Sequence, residues 1–200
     1  MATVKSRRDE YSEATREGLL ESALQLFAER GYIRTSLDDI ASAARVTKGA
    51  LYHHFGGKQA LFEAVLDRLE MRMQQRVMQA ASGAGDAWDA SLAGIDAFLT
   101  VSCEPAYARL VIQEGPVALG WERWRECEEK YAYGLVQSFL RALIETGSIA
   151  PVPLESATQV TFGMLNAAAL ALAEAPNAER PRVKAEMAAL LRRFLLGLRA

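Results

Sequence analysis

The sequence predicts an all-α protein, and three observations carry that reading. Alternating runs of Val, Ile and Thr, which would mark strands, are absent, while Ala, Leu, Glu and Arg dominate the 200 residues. Apolar side chains recur at spacings of three and four. Glycine and proline clusters divide these runs into separate segments.

The first helix is expected over 12–30. Ser12 or Thr15 caps it, Leu19, Leu20, Ala23, Leu24, Leu26 and Phe27 form its apolar face, and Gly31 ends it. Ser36 opens a short second helix, with Asp38 and Asp39 in the first turn, where acids suit the partial positive charge of a helix N-terminus. Leu37, Ile40, Ala41 and Ala44 face inward. After a turn at Arg45 and Val46, Thr47 caps a third helix, KGALYHHF, which Gly56 and Gly57 stop. A fourth helix opens at Lys58 and runs over 58–81, with Leu61, Phe62, Val65, Leu66 and Leu69 apolar.

SGAGD at 82–86 is the first real break and a candidate hinge. Beyond it the pattern gives helices at 87–102 and 104–113, a loop over EGPVALG and a long helix at 121–146 ended by Gly147. A loop, GSIAPVP, precedes two last helices at 155–174 and 182–199.

Half of the residues are hydrophobic (50%), enough for a core without staples. The two cysteines, Cys103 and Cys127, make no disulfide framework. They read as buried thiols in a reducing compartment or as a redox sensor. MATVKSRRDEYSEATRE lacks the apolar centre of a signal peptide. The most apolar stretch, 163–173, is far below the roughly 20 residues of a membrane span. A cytoplasmic protein with no membrane partner is expected. The net charge of −2 says little, but its distribution says more. The segment from Thr47 to Lys58 holds two lysines and both histidines of the chain, with no acid.

Lys48 and Lys58 each fall at a helix start, where the macrodipole disfavours a cation by roughly 0.3–1 kcal/mol. Phosphate at those places would outweigh the penalty through charge-assisted contacts and counterion release. The third helix supports this. Leu51 and Phe55 point to the core, while Lys48 and Tyr52 share another face beside Gly49, Ala50 and His53. Small residues let the backbone approach a groove, and Ala can touch a thymine methyl. Thr47, Tyr52 and His53 can reach phosphate oxygens. Two short helices joined by a tight turn make a helix-turn-helix. Adjacent His53 and His54 point about 100° apart with no Cys or acid beside them, so no metal site is expected. Lys5, Arg7 and Arg8 read as a solvated tail or as a clamp on DNA.

GYIRTSLDDIASAARVTKGALYHHFGGKQALFEAVL, at 31–66, resembles the DNA-binding module of the tetracycline-repressor (TetR) family. The matching positions are Thr35, Ile40, Ala41, Val46, Thr47, Lys48, Gly49, Leu51, Tyr52, Phe55 and Lys58. The chain departs from the pattern at Gly56 and Gly57, where Pro-Ser or similar is usual. The resemblance implies DNA contacts from Thr35, Thr47, Lys48, Ala50, Tyr52, His53 and Lys58. It implies a dimeric regulator, usually a repressor, in which residues 1–57 form the helix-turn-helix domain. Residues 58–200 would then form a helical ligand-binding and dimerisation domain, with 58–81 as connector.

In that second part, aromatic and polar residues on apolar helices are candidates either for core or for a ligand pocket: Trp88, Tyr107, Gln113, Trp124, Tyr131, Phe162 and Asn166. Thr158 and Thr161 are further polar pointers. The helix at 155–174 is apolar nearly all round and must bury more than one face. With Leu190, Leu191, Phe194, Leu195 and Leu198 of the last helix it suggests a two-fold homodimer interface. The expected partners are therefore a second copy, double-stranded DNA with a palindromic operator, and a small-molecule effector, with no cofactor. An all-helical enzyme is the rival, but both histidines lie in the DNA-like helix and no nucleophile motif accompanies them. A sequence-blind DNA-packaging protein is a second rival, which the calculated pI near 5.8 opposes.

Overall fold

The computed structural model describes residues 7–199, with side chains from Tyr11 onward. Lys5 and the side chains of Arg7 and Arg8 lie outside the described residues. No strand is present among those described. The chain divides into two compact units, Met1–Asp67 and Arg68–Ala200.

The first unit holds α1 (Arg7–Arg30), α2 (Leu37–Ala43), α3 (Lys48–His54) and the opening turns of α4 (Lys58–Ser82). α1 starts earlier than expected. Nothing in the stretch before Ser12 breaks a helix, so Ser12 lies inside it and the Thr15 hydroxyl donates to the Tyr11 carbonyl at 2.9 Å. Gly31 ends α1 at φ +86°, a left-handed conformation that glycine adopts without a Cβ clash. Leu19, Ala23, Phe27, Ile40, Leu51, Leu61, Phe62 and Val65 are completely buried. Each such large side chain contributes roughly 1.5–3 kcal/mol relative to exposure. The Phe27 ring meets Phe62 edge-on at 5.2 Å, and Tyr32 lies 4.8 Å from Phe62.

Ser36 caps α2 as expected, and its partner is Asp39. Ser36 Oγ accepts the Asp39 N–H at 3.1 Å, and the Asp39 carboxylate accepts the Ser36 N–H at 3.0 Å. The Ser36 hydroxyl, which donates to the same carboxylate at 2.6 Å, and then the Ser36 N–H hold the Asp39 carboxyl below its ordinary range. The turn into α3 passes through Arg45 at φ +57°, a conformation costing a non-glycine residue about 1–2 kcal/mol. It lets the Val46 N–H reach the Ala41 carbonyl at 3.0 Å and closes the end of α2.

The second unit continues α4 and adds α5 (Ala87–Ser102), capped by Asp86 through the Asp89 N–H at 2.8 Å. Next, α6 (105–119) consists of Pro105–Tyr107, a wide π-helical stretch Ala108–Glu114, and Gly115–Leu119. The expected loop over EGPVALG is therefore helical. Gly115 is needed for contact rather than for a turn: a Cβ there would sit 2.6 Å from Trp124 Cδ1. Pro116 stands in the first turn of its segment, where a missing N–H costs little. α7 (121–145) is likewise broken by a π-helical stretch, Glu129–Tyr133, and Gly147 ends it at φ +68°. α8 (Leu154–Glu174) and α9 (Arg180–Leu196) complete the unit. α8 packs against α5, α6, α7 and α9, so it forms the centre.

Both π-helical stretches adjoin one buried cluster. Glu70 of α4, Tyr107 of α6 and Glu128 of α7 are all nearly inaccessible. The Tyr107 hydroxyl donates to Glu70 Oε1 at 2.8 Å. Burial, the Glu70 charge and a hydrogen bond to Glu70 push the Glu128 carboxyl well above the ordinary glutamate range. Two bonded carboxyls need a proton between them. A raised acid contributes stability that is complete below the unfolded value, near 4.5, and is lost as pH climbs through the folded one. Urea unfolding from about pH 5 to about pH 9 is expected to show stability falling as pH rises. Glu128→Gln keeps a donor facing Glu70 without the ionisation, so it is expected to flatten that slope. An unchanged slope contradicts the shared proton.

Candidate nucleic-acid interface and ligand cavity

Within the first unit, local bonds and one buried face fix α3. Thr47 Oγ1 accepts the Ala50 N–H at 3.2 Å. Leu51 is 0% exposed, and Phe55, which closes the helix, is buried under the Arg16 guanidinium at 4.9 Å. With Leu51 pinned, helical geometry turns Lys48, Gly49, Tyr52 and His53 to solvent, and Ala50 is half-buried. Tyr52 is 50% exposed, and neither it nor His53 makes a side-chain hydrogen bond among the described residues. Thr47 is exposed, so its hydroxyl proton remains available while its oxygen caps the helix.

Both lysines have partners that the sequence reading missed. Lys48 Nζ lies 2.9 Å from Asp38, and the hydrogen bond and charge of that carboxylate raise its pKa. Lys58 Nζ sits 4.5 Å above the Tyr32 ring and donates to the Ile33 carbonyl at 3.3 Å. Partial burial lowers the Lys58 pKa. These contacts offset the dipole penalty inside the chain, and Lys58 ties the start of α4 to the loop after α1. Thr35 needs a correction. It is 1% exposed, and its hydroxyl lies 2.8 Å from the Gly31 carbonyl and 3.2 Å from that of Leu26. It satisfies the open carbonyls at the end of α1 and is not presented to a partner.

Within the second unit, a cavity of about 70 Å³ lies among α4, α5, α7, α8 and α9. Phe162 and Asn166 line it as expected, and so does Thr161. The other five candidates lie elsewhere. Trp88 is buried beneath Arg199, whose guanidinium is 4.6 Å from the ring. Tyr107 is bonded to Glu70. Gln113 donates to the Ala173 carbonyl and Trp124 Nε1 to that of Val111, each at 2.8 Å. Tyr131 packs under Lys130 at 4.8 Å. Thr158 also spends its hydroxyl internally, on the Leu154 carbonyl. The lining residues that sequence reasoning missed include Met73, Val77, Gly94 and Leu143. Only Gly94 carried a signal, a glycine inside an apolar helix.

Cys103 is half-buried, and desolvation raises its thiol pKa, while Cys127 is buried. A depressed thiol pKa, the mark of a reactive cysteine, is absent at Cys103.

An apolar groove runs between α8 and α9, lined by Ala157, Val160, Met164, Leu191, Phe194 and Leu198 among others. Val160 is 63% and Phe194 58% exposed. No helix among the described residues is long and apolar enough to cross a membrane.

Comparison with known proteins agrees with this geometry. The family model described as "Tetracyclin repressor-like, C-terminal domain" matches residues 88–198, and that of "Bacterial regulatory proteins, tetR family" matches 19–65. The chain belongs to the TetR family. It is accordingly a helix-turn-helix, DNA-binding transcriptional regulator and not an enzyme. The Transposon Tn10 TetC protein of Escherichia coli is 28% identical over 197 residues, 98% of each chain. A TetR-family regulator from Pectobacterium atrosepticum, known from its crystal structure, is 30% identical, covers 98% of each chain and superposes with a TM-score of 0.82. The transcriptional regulator TtgR of Pseudomonas putida is 46% identical over 63 residues, 32% of this chain and 30% of that one.

Proposed function

We propose that this TetR-family regulator is a cytoplasmic, homodimeric repressor that reads a palindromic operator through α3 and is released by a small molecule in the α4–α9 cavity. One observation carries the DNA reading: α3 buries Leu51 completely and leaves Lys48, Gly49, Tyr52 and His53 open. Gly49 has no role inside the chain, since a Cβ there would meet only Thr47 Oγ1, at an ordinary 3.9 Å. A glycine inside a helix costs roughly 0.5–1 kcal/mol relative to alanine, and close approach of a groove edge explains its presence. Thr47, Lys48, Ala50, Tyr52 and His53 then serve as phosphate and base contacts around it. Lys48 keeps its charge beside Asp38 and exchanges that exposed partner for phosphate at little cost.

The exposed apolar side chains of α8 and α9 supply the dimer surface. Gly163 and Ala167 are exposed beside Val160, and no atom lies within 4 Å of a Cβ built at Gly163. A partner helix can therefore approach closely. One seven-residue helix gives weak affinity, and two-fold pairing supplies the second half-site. α4 links the two functions. Leu61, Phe62, Val65 and Leu66 of α4 are buried in the first unit, and Met73 and Val77 line the cavity. A ligand that prefers one placement of Met73 and Val77 biases the placement of α3, which is a population shift.

The test is selection of bound duplexes from a random pool, followed by anisotropy titrations at several salt concentrations. The wild type is expected to enrich a palindrome. Lys48→Ala and Tyr52→Ala are expected to bind it at least about tenfold more weakly, and Lys48→Ala to reduce the salt slope by roughly one per recognition helix. Enrichment that survives both substitutions overturns the assignment of α3. Phe194→Glu is expected to convert the dimer to monomer in sedimentation equilibrium and to abolish operator binding, with the helical circular-dichroism spectrum retained. A dimer that persists in this variant, and in Val160→Glu, places the interface elsewhere.

A further inference from the structure

The cavity in the second unit is selective in its chemistry. No Asp, Glu, Lys, Arg or His lines it. Its walls are aliphatic and aromatic, and three polar side chains interrupt them: Ser91, Thr161 and Asn166. Ser91 is occupied, because its hydroxyl donates to the Ala87 carbonyl at 2.8 Å. Thr100, Ser102 and Thr158 spend their hydroxyls in the same way, each on the carbonyl four residues before it. Thr161 does not. It sits within α8 and makes no such bond, and the Asn166 amide makes no hydrogen bond among the described residues either. Asparagine is a poor helix former, because its amide competes for nearby backbone groups. At Asn166 it does not engage them.

These features fix what the cavity can hold. A carboxylate or an ammonium entering apolar surroundings without a countercharge loses hydration that nothing replaces. An apolar body gains from burial, and a single hydroxyl or carbonyl on it finds a donor and an acceptor on Asn166 and a further hydroxyl on Thr161. Size is bounded too. The space of about 70 Å³ is well under the roughly 300–1,000 Å³ of pockets for drug-sized ligands. A compact molecule therefore enters by displacing flexible side chains such as Met73. Gly94 keeps the space open, since a Cβ there would lie 3.2 Å from Phe139 Cζ and 3.4 Å from Val77 Cγ1.

We propose that the effector is a compact, uncharged, mainly apolar molecule bearing a hydroxyl or carbonyl group, held by Asn166 with Thr161. This rests on the reading of the chain as an effector-released regulator. The cavity also shares Ile95, Thr161, Leu165 and Leu195 with the α8–α9 groove, so its occupant presses on the walls of the proposed dimer face.

The test uses the full-length protein and two skeletons with three head groups each: 4-propylphenol, 4-propylbenzoate and 4-propylbenzylammonium, and octanol, octanoate and octylammonium. Calorimetry and thermal shift read binding, and propylbenzene serves as the compound without a polar group. The uncharged member is expected to bind at least tenfold more tightly than either charged one in at least one skeleton. Asn166→Leu is expected to weaken the uncharged member about tenfold and to erase its advantage over propylbenzene. Asn166→Asp, which puts a charge at the same place, is expected to turn the preference toward the ammonium. Gly94→Ala is expected to weaken every member. Tighter binding of a carboxylate or an ammonium by the wild type, uncharged binding that Asn166→Leu leaves intact, or no binding by any uncharged member overturns the proposal. Operator release is read separately. Uncharged compounds that bind but leave the selected operator bound refute the regulatory reading and keep the ligand class. Operator release by charged compounds alone does the reverse.

Discussion

Burial of Leu51 is the constraint on which the N-terminal unit depends. α3 has seven residues, too few to persist as a helix in water, so its existence and its orientation both come from the surface it sits on. Once Leu51 and Phe55 are sunk against α1 and α2, the opposite face has no choice of direction. The capping bond from Thr47, the left-handed Arg45 and the reciprocal Ser36–Asp39 bonds set the same register from either side. Thr35 and Lys58 brace the edge by binding carbonyls at and beyond the end of α1. The polar face of α3 is thus a by-product of core packing: the backbone that carries it is fixed by the buried side, so a partner on that face would not have to order it.

The C-terminal unit works under a looser rule. Its helices change register at two π-helical stretches, and both adjoin the Glu70–Tyr107–Glu128 cluster. Such wide turns re-aim the side chains that follow them, and Ala132, Val136 and Phe139, in and after the second stretch, line the cavity. The cavity shares Ile95, Thr161, Leu165 and Leu195 with the apolar groove of α8 and α9, and Met73 and Val77 of α4 form part of its wall.

What the sequence disclosed follows the range over which each interaction acts. Caps at Ser36 and Thr47, stops at Gly31 and Gly147, and the buried Leu51 and Phe55 are set within a few residues and were legible. The all-α class and the helix-turn-helix were legible for the same reason. Partners brought together by the fold were not. Lys48 meets Asp38 ten residues away, and Lys58 meets Tyr32 and Ile33 at the end of a different helix. Thr35 stood in the expected place but had an inward role. Gly115 looked like a turn residue and was a contact surface for Trp124. In the cavity, aromatic identity was a poor guide, because Trp88, Tyr107 and Trp124 fill core positions. Phe162 and Asn166 line the cavity, and its α4 wall was not foreseen, since helical periodicity marks an inward face without saying which inward faces leave a gap.

The measurement that tests the central claim most directly is Gly49→Ala, followed in parallel by urea unfolding and by titration of the selected operator. Internal contacts leave room for the methyl, so the account predicts a protein as stable as the wild type or more so by up to about 1 kcal/mol, with operator affinity at least about tenfold lower. A variant that is more stable and binds the operator as tightly as the wild type would contradict the assignment of this face of α3 to DNA.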